Sequence, residues 1–129
     1  MNTEFSLDME SRNRILKAFE DLIKEAWDNS EEHGFHKSYD ELQEALSGDL
    51  QADMRRTSVL AKLGLIASEV GEAVSAVQHD DKTELAFELA DVIIRILDLC
   101  GSEYINLGPV LLKKMQTNRK RPYLHGKKC

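Results

Sequence analysis

Between Glu84 and Cys100 the chain reads E-L-A-F-E-L-A-D-V-I-I-R-I-L-D-L-C, and only five of those residues are polar. Glu84, Glu88, Asp91, Arg95 and Asp98 follow one another at spacings of 4, 3, 4 and 3, which places them on one narrow face of a helix. A helix that is apolar around most of its circumference buries those sides. The polar stripe therefore either meets solvent at an edge or faces a polar cavity. No segment alternates with the period of a strand, and Gly plus Pro make up only nine of the 129 residues. A turn-rich β fold is disfavoured, and the chain reads as one all-α domain, 1–129, a bundle of four to five helices with short connections.

The other helices follow from the same periodicity. Ile15, Phe19, Leu22 and Ala26, flanked by Leu16, Ile23 and Trp27, predict a first helix over about Leu7–Asn29, ended by Gly34. Ser38 and Glu41 form a capping-box pattern for a short helix, Tyr39–Leu46, closed by Gly48. These N-terminal helices occupy 1–50. A long helix is predicted over about Leu50–Gln78, its core stripe running through Leu60, Leu63, Ile66 or Ala67, Val70, Val74 and Val77. Thr83 is the expected cap of the Glu84–Cys100 helix, and Gly101 its expected terminator. Asn106 is placed to cap a last helix that carries Pro109 in its first turn and ends near Arg121, since Pro122 disfavours helical geometry before it. Residues 122–129 form a basic tail.

Charge is unevenly distributed. Residues 113–129 hold seven basic residues and no acid, leaving ten basic residues against all 23 acids in 1–112, a net of −13 there. Such a body repels a nucleic-acid backbone, and with 6% aromatics there is little to stack bases on, so no stable nucleic-acid partner is expected. No apolar run is long enough to span a membrane, and no signal-peptide pattern opens the chain. Two cysteines, Cys100 and Cys129, make no disulfide framework. The cytoplasm is the expected compartment.

Glu69 and Glu72 lie beside the core stripe of the long helix, one turn apart, with Lys62 on the same side. The His79-Asp80-Asp81-Lys82 turn is short, so the two flanking helices should run antiparallel, with Glu69 and Glu72 near the height of Glu88 and Asp91. Four crowded carboxylates need protons or cations. Hard divalent cations with oxygen ligands suit them. A di-iron centre would want Glu-x-x-His on two helices, and neither pair has a histidine. Lys114, Asn118 and Arg121 share one face of the last helix and suit a polyphosphate.

Glu69-Val-Gly-Glu72, 15 intervening residues, and Glu88-Leu-Ala-Asp91 resemble the ExxE…ExxD signature of MazG-like all-α nucleoside triphosphate pyrophosphohydrolases. The strings LIASEVGEAVSAV and ELADVIIRILDL are similar to that family, as is the ending KMQTNRKRPYLHGKK. The resemblance covers about Leu60–Lys128. It implies Mg²⁺-dependent cleavage of a nucleotide between its α and β phosphates, with Mn²⁺ a possible substitute. By position it implies metal ligation by Glu69, Glu72, Glu88 and Asp91 and phosphate contacts from Lys114, Asn118 and Arg121. It also implies a homodimer or homotetramer.

A carboxylate not fully occupied by metal is the expected general base on the attacking water; sequence does not choose it, and Glu69 and Glu72 are the first to test, while Lys114 and Arg121 are expected to hold the departing pyrophosphate. Trp27, Phe35, His36 and Tyr39 are the aromatic residues available for a base pocket, Trp27 being better explained by core packing. His79 and His125 read as turn and tail residues rather than ligands, Asp98 as a partner for Arg95 or else an extra carboxylate of the site, and Cys129 is assigned no chemistry. Phosphoribosyl-ATP pyrophosphohydrolase activity is the alternative reaction, and a non-enzymatic helical interaction module the alternative class.

Overall fold

A computed structural model describes residues 7–123. It is 85% helical. Its five helices are α1 (Met9–Glu32), α2 (Lys37–Ala45), α3 (Gly48–Gln78), α4 (Lys82–Ser102) and α5 (Leu107–Arg119). No strand occurs among the described residues. No helix of theirs is long and apolar enough to cross a membrane. The chain divides into two compact units, one formed by Met1–Leu22 with Ile105–Cys129 and the other by Ile23–Tyr104.

In the first unit the start of α5 lies against α1. A Cβ built on Gly108 would stand 3.2 Å from Leu16 Cδ2 and 3.2 Å from Phe19 Cβ, so the lack of a side chain lets the two backbones approach. Leu112, one turn further along α5, is buried. Asn106 is the N-cap residue of α5 but makes no side-chain capping bond. Lys114 and Asn118 lie on α5, whereas Arg121 falls beyond the C-cap Lys120, its N–H donating to the Asn118 carbonyl at 3.2 Å.

In the second unit α3 and α4 fold back on each other across a tight turn. Asp80 supplies the left-handed residue there (φ 53°). Its N–H donates to Val77 O at 3.1 Å and the Asp81 N–H to Ala76 O at 2.9 Å, the bond pair of a Schellman motif. The same pair ends α1 around Gly34 (φ 74°), through Gly34 N–H to Glu31 O and Phe35 N–H to Ser30 O, both 3.0 Å. Asp81, rather than Thr83, caps α4: its Oδ1 accepts from the Glu84 N–H at 2.9 Å. The Ser38–Glu41 capping box does not form, because α2 begins at Lys37 with His36 as its N-cap residue. Gly48 opens α3 instead of closing α2.

Two expectations about the interior are corrected. Gly101 lies within α4 and does not end it. A Cβ there would come within 2.8 Å of Trp27 Cβ, so this glycine is a seat for the indole. The apolar stripe of α3 is not the core of this unit: Leu60, Leu63, Val70, Val74 and Val77 are 47–62% exposed. Buried on α3 are Ala73, Ala76 and Glu69, and on α4 Leu97, Cys100 and Glu88. On α3 the small and acidic residues face inward and the stripe from Leu60 to Val77 outward, while α4 also buries Leu97. Gly101→Ala should lower stability by about 1–3 kcal/mol in urea unfolding, because the new methyl meets the stiff base of the Trp27 side chain.

Candidate functional site

Glu69 on α3 and Glu88 and Asp91 on α4 each offer an oxygen within 4.8 Å of the others. The convergence follows from register. Glu69 sits about ten residues before the Asp80 turn and Asp91 about ten after it, so they meet at one height, and Glu88 lies one helical turn from Asp91. Glu69 is 9% and Glu88 8% exposed, while Asp91 opens to solvent. One oxygen of Glu88, Oε2, is buried without a hydrogen-bond partner. An orphaned buried carboxylate oxygen in an acidic cluster is a place for a proton or a cation. Three carboxylates at this spacing, one of them open to water, fit a hard divalent ion that keeps some of its waters.

Glu72 stands outside this group of three. It is exposed and lines a separate cavity of about 330 Å³ with Ser75, His79, Asp81, Glu84 and Glu88. Glu88 therefore joins the two places. Its carboxyl is pushed up to about 7, first by a hydrogen bond with the Glu84 carboxylate that favours its neutral form, then by burial, then by Glu72.

A second cavity, of about 400 Å³, opens on the other side of Glu69 and Asp91. Arg95 and Asp98 continue its α4 wall, Lys62 and Leu65 belong to α3, and Phe35 and His36 come from the connection after α1. Arg95 Nε donates to Glu69 Oε1 at 2.5 Å. Asp98, expected to pair with Arg95, instead accepts from His36 Nε2 at 3.0 Å. His36 is only 3% exposed and stacks on Trp27, ring centroids 4.4 Å apart. Lys62 Nζ donates to Ser102 Oγ at 3.0 Å and lies 5.8 Å from the Tyr39 ring centre. Tyr39 does not line the cavity, and Trp27 supports it from behind through His36.

Of the residues singled out in the sequence, Glu69, Glu88 and Asp91 are brought together and Glu72 adjoins them through Glu88. Lys114, Asn118 and Arg121 belong to the first unit. His125 and Cys129 lie outside the described residues. His79 is a turn residue, its Nδ1 2.8 Å from the Ser75 carbonyl. The roles missed were the Arg95–Glu69 and His36–Asp98 pairs. A basic residue one turn after Asp91 and facing an acidic helix carried a hint of the first. The second joins residues 62 apart, and nothing local signals it.

The family model for the MazG nucleotide pyrophosphohydrolase domain matches residues 57–123. No curated protein and no solved structure matches the chain.

In metal-free protein the folded Glu88 pKa of about 7 lies above its ordinary value of 4.5. The neutral carboxyl then contributes fully below about pH 4.5, and its contribution is lost as pH rises through 7. Melting in EDTA should show stability falling as pH rises from about 4.5 to about 7, and Glu88→Gln should remove that fall.

Proposed function

Because this chain belongs to the MazG nucleotide pyrophosphohydrolase domain family, we propose that it is a Mg²⁺-dependent pyrophosphohydrolase cleaving a (deoxy)nucleoside triphosphate to its monophosphate and pyrophosphate. The observation that carries the reading is the convergence of Glu69, Glu88 and Asp91 within 4.8 Å around the partnerless Glu88 Oε2. Glu69, Glu88 and Asp91 would hold Mg²⁺, with Glu72 completing the set through its contact with Glu88. The ion, for which Mn²⁺ is a plausible replacement, would neutralise phosphate oxygens and acidify the attacking water.

The chain's own residues supply the rest. A water oxygen bonds to the α-phosphorus as the bond from that phosphorus to the bridging oxygen breaks. Its proton passes to a carboxylate. Glu72, outside the group of three and open to solvent, suits this better than Glu69, which Arg95 already engages. For Lys114, Asn118 and Arg121 we propose only the phosphate contacts that the family resemblance implies, since their donors suit a polyphosphate. We assign the reaction to the cytoplasm, where a reduced Cys100 is expected.

We further propose that the protein works as a homodimer or homotetramer. Leu60, Leu63, Val70, Val74 and Val77 line one side of α3, and Phe87 and Ile93 on α4 are 66% and 56% exposed. Apolar surface of that extent is covered in stable proteins, and a second copy of the chain presents a matching face. Glu72→Gln and Asp91→Asn should each lower Mg²⁺-dependent pyrophosphate release by at least about a hundredfold while circular dichroism stays helical. Turnover by both variants would exclude the site, and a substrate panel containing phosphoribosyl-ATP identifies the alternative reaction. Val74→Lys should shift light-scattering mass toward the single chain.

A further inference from the structure

The 400 Å³ cavity has two chemically different ends joined by one face of α4. At one end is Asp91 with Glu69. At the other is Asp98 with His36. Seven residues separate Asp91 from Asp98, about 10 Å along a helix, comparable to the reach of a nucleotide from its α-phosphate to the far edge of its base. Phe35, 76% exposed, offers an aromatic face at the rim. A volume of this size takes a base and its sugar.

Asp98 is held by His36 through one oxygen only. A carboxylate has acceptor sites on both oxygens and no donor. His36 is itself held by burial and by the Trp27 stack, so its Nε2 offers Asp98 a fixed donor that the carboxylate would give up by turning away. A base docking against a fixed pure acceptor must present N–H groups. Guanine presents two side by side, N1–H and the 2-amino group, in the geometry that a carboxylate accepts in two bonds. Adenine and cytosine each set a ring-nitrogen acceptor beside their amino group. Uracil and thymine flank their single N–H with carbonyls. An acceptor forced against Asp98 leaves both groups unpaired and repelling. Arg95 and Lys62 supply donors in the same cavity for the remaining oxygens.

We propose that Asp98, oriented by His36, reads the base of the substrate and selects guanine nucleotides. This rests on the nucleotide pyrophosphohydrolase reading and deepens it. Loss of one good two-bond pairing is worth roughly tenfold to a hundredfold, about 1.4–2.7 kcal/mol.

Two measurements on the full-length protein test it. The first is kcat/KM for pyrophosphate release from GTP, ITP, ATP, CTP and UTP with Mg²⁺. The second is calorimetric binding of GMP, IMP, AMP, CMP and UMP, which needs no turnover. GTP and GMP should lead by at least tenfold, with the inosine forms, which lack the 2-amino group, falling behind the guanine ones. Asp98→Asn keeps an acceptor for His36 and should erase the guanine lead in both assays while helicity is unchanged. Preference for another base, or a guanine lead that survives in Asp98→Asn, overturns the assignment while leaving the hydrolase reading intact. Absence of pyrophosphate from every nucleotide, phosphoribosyl-ATP included, overturns the hydrolase reading instead. Selective GMP binding would still uphold the pocket in that case, and its absence would overturn the pocket as well.

Discussion

Carboxylates pressed between two helices repel, and the α3–α4 pair is arranged around that repulsion. Glu69, Glu88 and Asp91 sit within 4.8 Å of one another, two of them nearly excluded from water. Two local answers are visible. Arg95 reaches across from α4 to Glu69 at 2.5 Å, and Glu88 is driven toward its neutral form. Neither satisfies Glu88 Oε2. The pair is thus least comfortable at the point where a cation would bring most relief, which is the physical ground for the proposed Mg²⁺ site.

The same packing explains the inverted amphipathicity. If acids face inward on a two-helix hairpin, only small residues such as Ala73 and Ala76 fit beside them. The branched residues of α3 and much of the apolar circumference of α4 then face outward. A hairpin built this way leaves that apolar surface exposed, and it is the surface on which the proposed partner copy would sit. The acidic interior leaves the apolar stripe of α3 on the other side of the helix.

The periodicity of the sequence made the helices and the height of the acidic pairs readable, because both depend on local spacing and one short turn. What escaped it depends on tertiary neighbours. Gly101 looks like any helix-ending glycine, yet it serves Trp27 from 74 residues upstream by sequence count. The stripe from Leu60 to Val77 has the period of a core face, and period says nothing about whether the chain itself or another copy covers it. Arg95 lies three residues from Asp98 and was equally able to pair with it; Glu69 wins because it is the more buried acid and the guanidinium can reach it. Ser38 and Glu41 have the right spacing for a capping box, but His36 is committed to Trp27 and Asp98, and the helix starts from there.

His36 shows how a residue from a connecting segment acquires a fixed role. Gly34 reverses the chain after α1, and the residue after next enters the gap between α1 and α4. Trp27 beneath it can lie flat only because Gly101 has no side chain. The line from Gly101 through Trp27 and His36 to Asp98 is a series of contacts, and it ends in a carboxylate that lines the cavity. Fixed orientation matters more here than charge: a mobile aspartate could rotate to suit several bases, whereas one pinned by a buried imidazole rewards only the base edge that matches it.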